Sequence, residues 1–155
     1  MKGSPLRRRT SLLTVAVAAA VSIPLTAGPA AAYDVASRCE LASAVGGAGQ
    51  PTKGHGIGSW NWGSRTSLTS VHLEAKDSLA DSAHPAVRLV TKSPGGATTT
   101  YAWRHNTKGA NTTQGWDTSA SNSAGIQTAW VEGAIFDGST LKFTCKGTVR
   151  WNPNY

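Results

Sequence analysis

The chain has 155 residues, 17 of them glycine, with two cysteines, 15% charged residues and a formal charge of +7. That length holds one ordinary domain with a real core. The positive excess does not indicate a nucleic-acid binder, because four of the seven net charges are Lys2, Arg7, Arg8 and Arg9, at the extreme N-terminus.

Those four residues form the positive start of a leader. An Ala/Val/Leu-rich run from Leu12 to Ile23 follows, then Pro24, then the small residues Ala30, Ala31 and Ala32. This is the pattern of a secretory signal peptide over residues 1–32, cut between Ala32 and Tyr33. The apolar run is shorter than the roughly 20 residues that span a bilayer. The expectation is therefore a secreted, extracellular protein that leaves no membrane segment after cleavage. In that compartment Cys39 and Cys145 are expected to form a disulfide.

Residues 33–59 read as an irregular, Gly-rich N-terminal arm. Within it "ASRCELASAV", Ala36 to Val45, is a weak helical candidate. The stretch "AVGGAGQPTKGHGIGSWNWG", Ala44 to Gly63, invites comparison with a phosphate-binding loop. The order is wrong for that: Lys53 precedes Gly54 and His55, where Gly-Lys-Ser/Thr is needed between a strand and a helix. It reads instead as a flexible link from Cys39 to Trp60 and Trp62, where a β domain over residues 60–155 begins.

Period-two alternation marks the strands of that domain. In "SLTSVHLEAKD" Val71, Leu73 and Ala75 face one side, and His72, Glu74 and Lys76 the other. "AVRLVTK" aligns Val87 with Leu89, and "TTTYAWRHN" aligns Tyr101 with Trp103. "GIQTAWVEGAIFD" is apolar almost throughout, which fits a strand buried on both faces or one carrying a bulge. "LKFTCKGTVRW" places Leu141, Phe143, Cys145, Val149 and Trp151 inward, with Gly147 marking a bulge or a close crossing. "SPGG" and "DGS" are turns, while "HNTKGANTTQG" and "TSASNSAG" read as loops. About six strands with short joins predict an all-β chain, a single antiparallel β-sandwich or small barrel.

Candidate chemistry is sparse. Asp77, Asp81 and His84 lie close together in "KDSLADSAHPAVR", with Ser78 and Ser82 beside them, but neither an EF-hand spacing nor a recognisable triad is present. The bland reading is a loop whose Asp and Ser cap backbone groups. There is no His-x-x-x-His or Cys-x-x-Cys pair, so no metal and no cofactor is expected. Glu74 and Glu132 as a glycosidase pair have nothing to single them out. Six tryptophans remain. Trp103 and Trp151 fall on inner faces by alternation. Trp60, Trp62 and Trp116 stand in loop-like contexts, where exposed rings would suit sugar stacking or a protein interface. Lys142, Lys146 and Arg150 form a basic stripe on the outer side of the last strand.

The stretch "VHLEAKDSLADSAHPAVRLVT" resembles small secreted actinobacterial proteins with the pattern V-x-V-x-D-x-x-x-D-G-H-x-x-x-V-R. The matches are Val71, Asp77, Asp81, His84, Val87 and Arg88; Asp81-Ser82-Ala83-His84 departs from the Asp-Gly-His of the pattern. "WRHNTKGANTTQGWDT" and "AGIQTAWV" continue the likeness, which covers about residues 68–145. The resemblance implies a secreted, non-enzymatic β domain. The layout is also similar to the adaptor subunit of antibacterial umbrella toxin particles, which implies a link to another secreted subunit.

The sequence thus predicts a non-catalytic protein-binding or adaptor module. Its partner is expected to be another secreted protein, with Arg38, Lys53, His55, Trp60, Trp62 and Trp116 as contact candidates. Two alternatives are a carbohydrate- or cell-wall-binding module using exposed Trp, and a protease inhibitor with Arg38 beside Cys39 as its bait.

Overall fold

The computed structural model describes residues 37–41 and 53–155; the leader and the cleavage site at Ala32 and Tyr33 lie outside them. The strands are β1 (Ser37–Leu41), β2 (Gly54–Trp62), β3 (Ser67–Asp77), β4 (Ala83–Lys92), β5 (Thr98–Thr100), β6 (Arg104–His105), β7 (Thr113–Ser121), β8 (Thr128–Asp137), β9 (Thr140–Lys146) and β10 (Arg150–Trp151). No described residue is helical. One sheet has the order β1-β2-β3-β7; the other runs β10-β8-β4-β5, with β6 added to β4 and β9 to β8. Every pairing is antiparallel. The all-β antiparallel sandwich or small barrel read from the alternation is the observed fold.

The two sheets close on one apolar core. Leu68, Val71, Leu73 and Ala75 of the first sheet meet Val87, Leu89, Val131 and Ile135 of the second, with Cys39 and Leu41 of β1 in the same cluster. The Cys39–Cys145 disulfide joins β1 to β9 at a Cα separation of 5.9 Å, as expected. It lies over Gly133, where a Cβ would meet Cys39 Sγ at 2.9 Å and Cys145 Sγ at 3.3 Å. "SPGG" is the β4–β5 turn, with the Gly96 N–H donating to the Ser93 carbonyl. "DGS" closes the β8–β9 hairpin.

Several expectations need correction. The arm over residues 33–59 is not irregular where it is described. "SRCEL" is strand β1, with Ser37, Cys39 and Leu41 inward, and the helical candidate over Ala36–Val45 fails there because alternation wins. "GHGIGSWNW" is strand β2, so the expected division at residue 60 falls inside a strand. Gly54 has a positive φ and abuts the Lys76 carbonyl of the neighbouring strand. Gly56 and Gly58 face the other sheet: a Cβ on Gly56 would meet Val87 Cγ2 at 3.2 Å, and one on Gly58 would meet Val131 Cγ1 at 2.5 Å. They are there for close approach between sheets, not for slack. "TTTYAWRHN" is split into β5 and β6, so Tyr101 packs on the main core and Trp103 on a separate cluster. β7 takes Thr113–Gly115 from one predicted loop and Thr118–Ser121 from the other.

Two buried asparagines that alternation could not find hold the loops. The Asn106 side-chain amide donates to the carbonyls of Ala75 and Thr112, both at 3.0 Å. That of Asn152 donates to the carbonyls of Ser64 at 2.9 Å and Ile126 at 2.8 Å.

Candidate binding face

The sandwich has two outer faces, and they differ in chemistry. On the four-stranded sheet the outer rows carry Arg38, Glu40, His55, Glu74, His72 and Asp117. These groups satisfy one another. Arg38 bonds Glu40, its Nη2 lies 3.2 Å from His55 Nδ1, and His55 Nε2 lies 3.8 Å from Glu74 Oε1. His72 Nδ1 lies 2.7 Å from Asp117 Oδ1. Burial, then the nearby Arg38 charge, holds His55 below the ordinary histidine value. A neutral imidazole at pH 7 accepts from Arg38 at Nδ1 and turns its Nε2–H toward Glu74.

The outer face of the six-stranded sheet is aromatic. Even-numbered residues of β8 point outward, because Ala129, Val131 and Ile135 belong to the core. Along that row stand Thr128, Trp130, Glu132, Ala134 and Phe136. Paired residues in an antiparallel ladder share a face. Glu132 therefore stands beside Arg88, and Arg88 Nε and Nη2 both donate to Glu132 Oε2, at 2.8 and 2.6 Å. The Arg88 guanidinium also lies 4.3 Å above the Trp103 ring, and Lys146 Nζ 4.2 Å above the Trp130 ring. Trp103 meets Phe136 edge-on at 5.7 Å. At the far end His84 stacks on Phe136, and its Nε2 is 3.1 Å from His105 Nδ1. Burial, and then the neighbouring His84, lowers the pKa of His105.

Two register shifts complete this face. Ile135 pairs with Phe143 but Phe136 pairs with Leu141, so Lys142 is an extra residue in β9. Glu132 pairs with Lys146 and Ala129 with Arg150, which leaves three residues of the edge strand opposite two of β8. Each shift by one turns the following side chain to the other face. Leu141 and Trp151, expected to be inward, thus join Phe136 and Thr128 on the outer face, 49% and 69% exposed. The central part of the predicted strand, Phe143 and Cys145, faces inward as read. Gly147 marks a close crossing, as one of its two predicted roles: a Cβ there would lie 3.0 Å from the Arg38 carbonyl. From Thr128 to Phe136 the face extends about 27 Å.

The contact candidates read from the sequence are scattered. Arg38 and His55 meet on the four-stranded sheet. Lys53 pairs instead with Asp81, at 2.9 Å, and holds that carboxyl below its ordinary range. Trp60, expected in an exposed context, is 8% exposed and packs edge-on against Trp62 at 6.1 Å. Trp62 and Trp116 are half-buried against the core. Arg38 lies in mid-strand, paired with Ile57, and not on a protruding loop. Asp81 caps the Ala83 N–H and Asp77 the Leu79 N–H, as the bland reading of that loop has it. Burial raises the Asp77 pKa. No group of three or more His, Cys, Asp or Glu among the described residues could hold a metal ion.

No family model, no curated protein and no solved structure matches the chain.

Proposed function

We propose that the chain is a secreted, non-catalytic module that binds an acidic extracellular protein through the outer face of the six-stranded sheet. The observation that carries this reading is the pair of register shifts that turn Leu141 and Trp151 out of the core onto one face. Bulges that re-aim side chains are built features, and two serving one face have a common use. Exposed Trp beside Arg and partly buried aromatics is the composition of a protein interface. The sign of the partner follows from the charges. Lys92 and Lys146 are exposed on this face, while Glu132 is committed to Arg88. The disulfide is compatible with an oxidising, extracellular compartment. An adaptor that links subunits of an extracellular antibacterial toxin complex is the specific form of this role that the resemblance implies.

The carbohydrate reading has less support. Sugar stacking needs bare rings, and on this face Trp151 offers one, while cations already lie over Trp103 and Trp130; Trp130 is only 6% exposed.

Affinity capture tests the proposal. The processed protein is immobilised and exposed to the medium in which it is secreted. Wild type and Glu74→Gln, altered on the opposite face, are expected to retain the same protein partner. Trp151→Ala and Lys146→Glu are expected to lose it at least tenfold, with unchanged circular dichroism. Equal retention by all four proteins, or binding of soluble glycan in place of protein, refutes it.

A further inference from the structure

At the β8–β9 end of the aromatic face, the gap between the sheets opens into a cavity of about 290 Å³. Its floor is apolar: Ala83, Ile135 and Phe143. Its rim carries two oppositely charged pairs, Lys53–Asp81 at 2.9 Å and Lys142–Asp137 at 3.8 Å. Lys142 is the extra residue of the β9 shift, so the feature that turns Leu141 outward also sets one wall of the cavity.

We infer that this cavity receives one large apolar side chain from an extended peptide segment of the protein partner. The inference rests on the reading of the chain as a protein-binding module. The volume lies just below the roughly 300–1,000 Å³ of whole small-molecule sites, and so suits a single side chain. The rim selects peptide over other apolar ligands. Each peptide unit carries one N–H and one C=O. Lysine ammonium groups donate to carbonyls, and the carboxylates of Asp81 and Asp137 accept from N–H groups. Lys53 and Asp81, like Lys142 and Asp137, already bond each other, and each ammonium and carboxylate keeps donor or acceptor capacity beyond that bond. Leu141 precedes the rim residue Lys142 in the chain and stands on the outer face of the sheet, so a segment lying on that face passes beside the cavity.

The test uses methyl NMR of the processed protein. N-acetyl-L-tryptophanamide and N-acetyl-L-phenylalaninamide are titrated in, with N-acetylglycinamide and N-acetylglucosamine as controls. Saturable shifts of the Ala83 and Ile135 methyls are expected with the two aromatic amides and not with the controls. Ser82→Trp, at the exposed rim, is expected to abolish those shifts and to lower partner retention at least tenfold. Unmoved methyls, shifts with the sugar instead, or shifts that depend on protein concentration alone overturn the inference. If the methyls stay still while Trp151→Ala still abolishes capture, the cavity fails and the binding face stands. If the methyls move while Trp151→Ala retains partner, the face fails and the cavity stands.

Discussion

Replacing both Cys39 and Cys145 with serine is expected to lower the free energy of unfolding by about 4 kcal/mol, and Tm by roughly 20 °C. The bridge spans 106 residues, so its loss frees a long loop in the unfolded chain. Its place in the fold adds to this. β1 has five residues and lies at a sheet edge, paired only with β2. Besides the bridge, β1 is tied to the second sheet by the Val131 N–H donating to Ser37 Oγ at 3.1 Å and by the burial of Leu41 in the shared core. Without the bridge, β1 is expected to open first, giving fast exchange of the amides of residue 39 and Leu41. Urea denaturation of the two proteins measures the difference, and coincident midpoints would remove the bridge from the account.

Gly58→Val is expected to cost about 3 kcal/mol, the upper part of the range for overpacking a core. The added Cβ would lie 2.5 Å from Val131 Cγ1 and 3.1 Å from Leu73 Cδ2. Val131 and Leu73 are both buried, and neither has solvent to move into. Gly95→Ala is the control: its nearest neighbour would be 3.9 Å away, and its change should stay within about 0.5 kcal/mol. Equal midpoints for the two variants would mean that the glycines of β2 are slack after all.

This contrast explains why the first two strands were hard to read. Glycine has no side chain to alternate, and its strand propensity is low. "GHGIGSWNW" shows as a strand only once Val87 and Val131 are known to lie opposite its glycines. "SRCEL" does alternate, but five residues beside a Gly-rich stretch carry little weight against a helical composition. β3 was legible from Val71 onward, where seven residues alternate after the irregularity at Thr69 and Ser70, and β8 because most of its ten residues are buried, on both faces.

The candidate binding face was the least legible part, for a related reason. The alternation of "LKFTCKGTVRW" is real, but facing depends on register against β8, and register is a property of the pair. Two shifts leave Phe143 and Cys145 as read and reverse Leu141 and Trp151. Gly147, inside an otherwise regular pattern, was the one local sign of the second shift. In the sequence Arg88 stands out only through a resemblance and Glu132 only as a carboxylate; their pairing follows from the β4–β8 register.

Photo-crosslinking in the native medium tests the central claim most directly. A benzoylphenylalanine is placed at Trp151 in one protein and at Glu74 in another, and each is irradiated among the proteins of that medium. The account predicts a single protein adduct from position 151 and none from position 74. An adduct from position 74 alone, or from neither position, would contradict it.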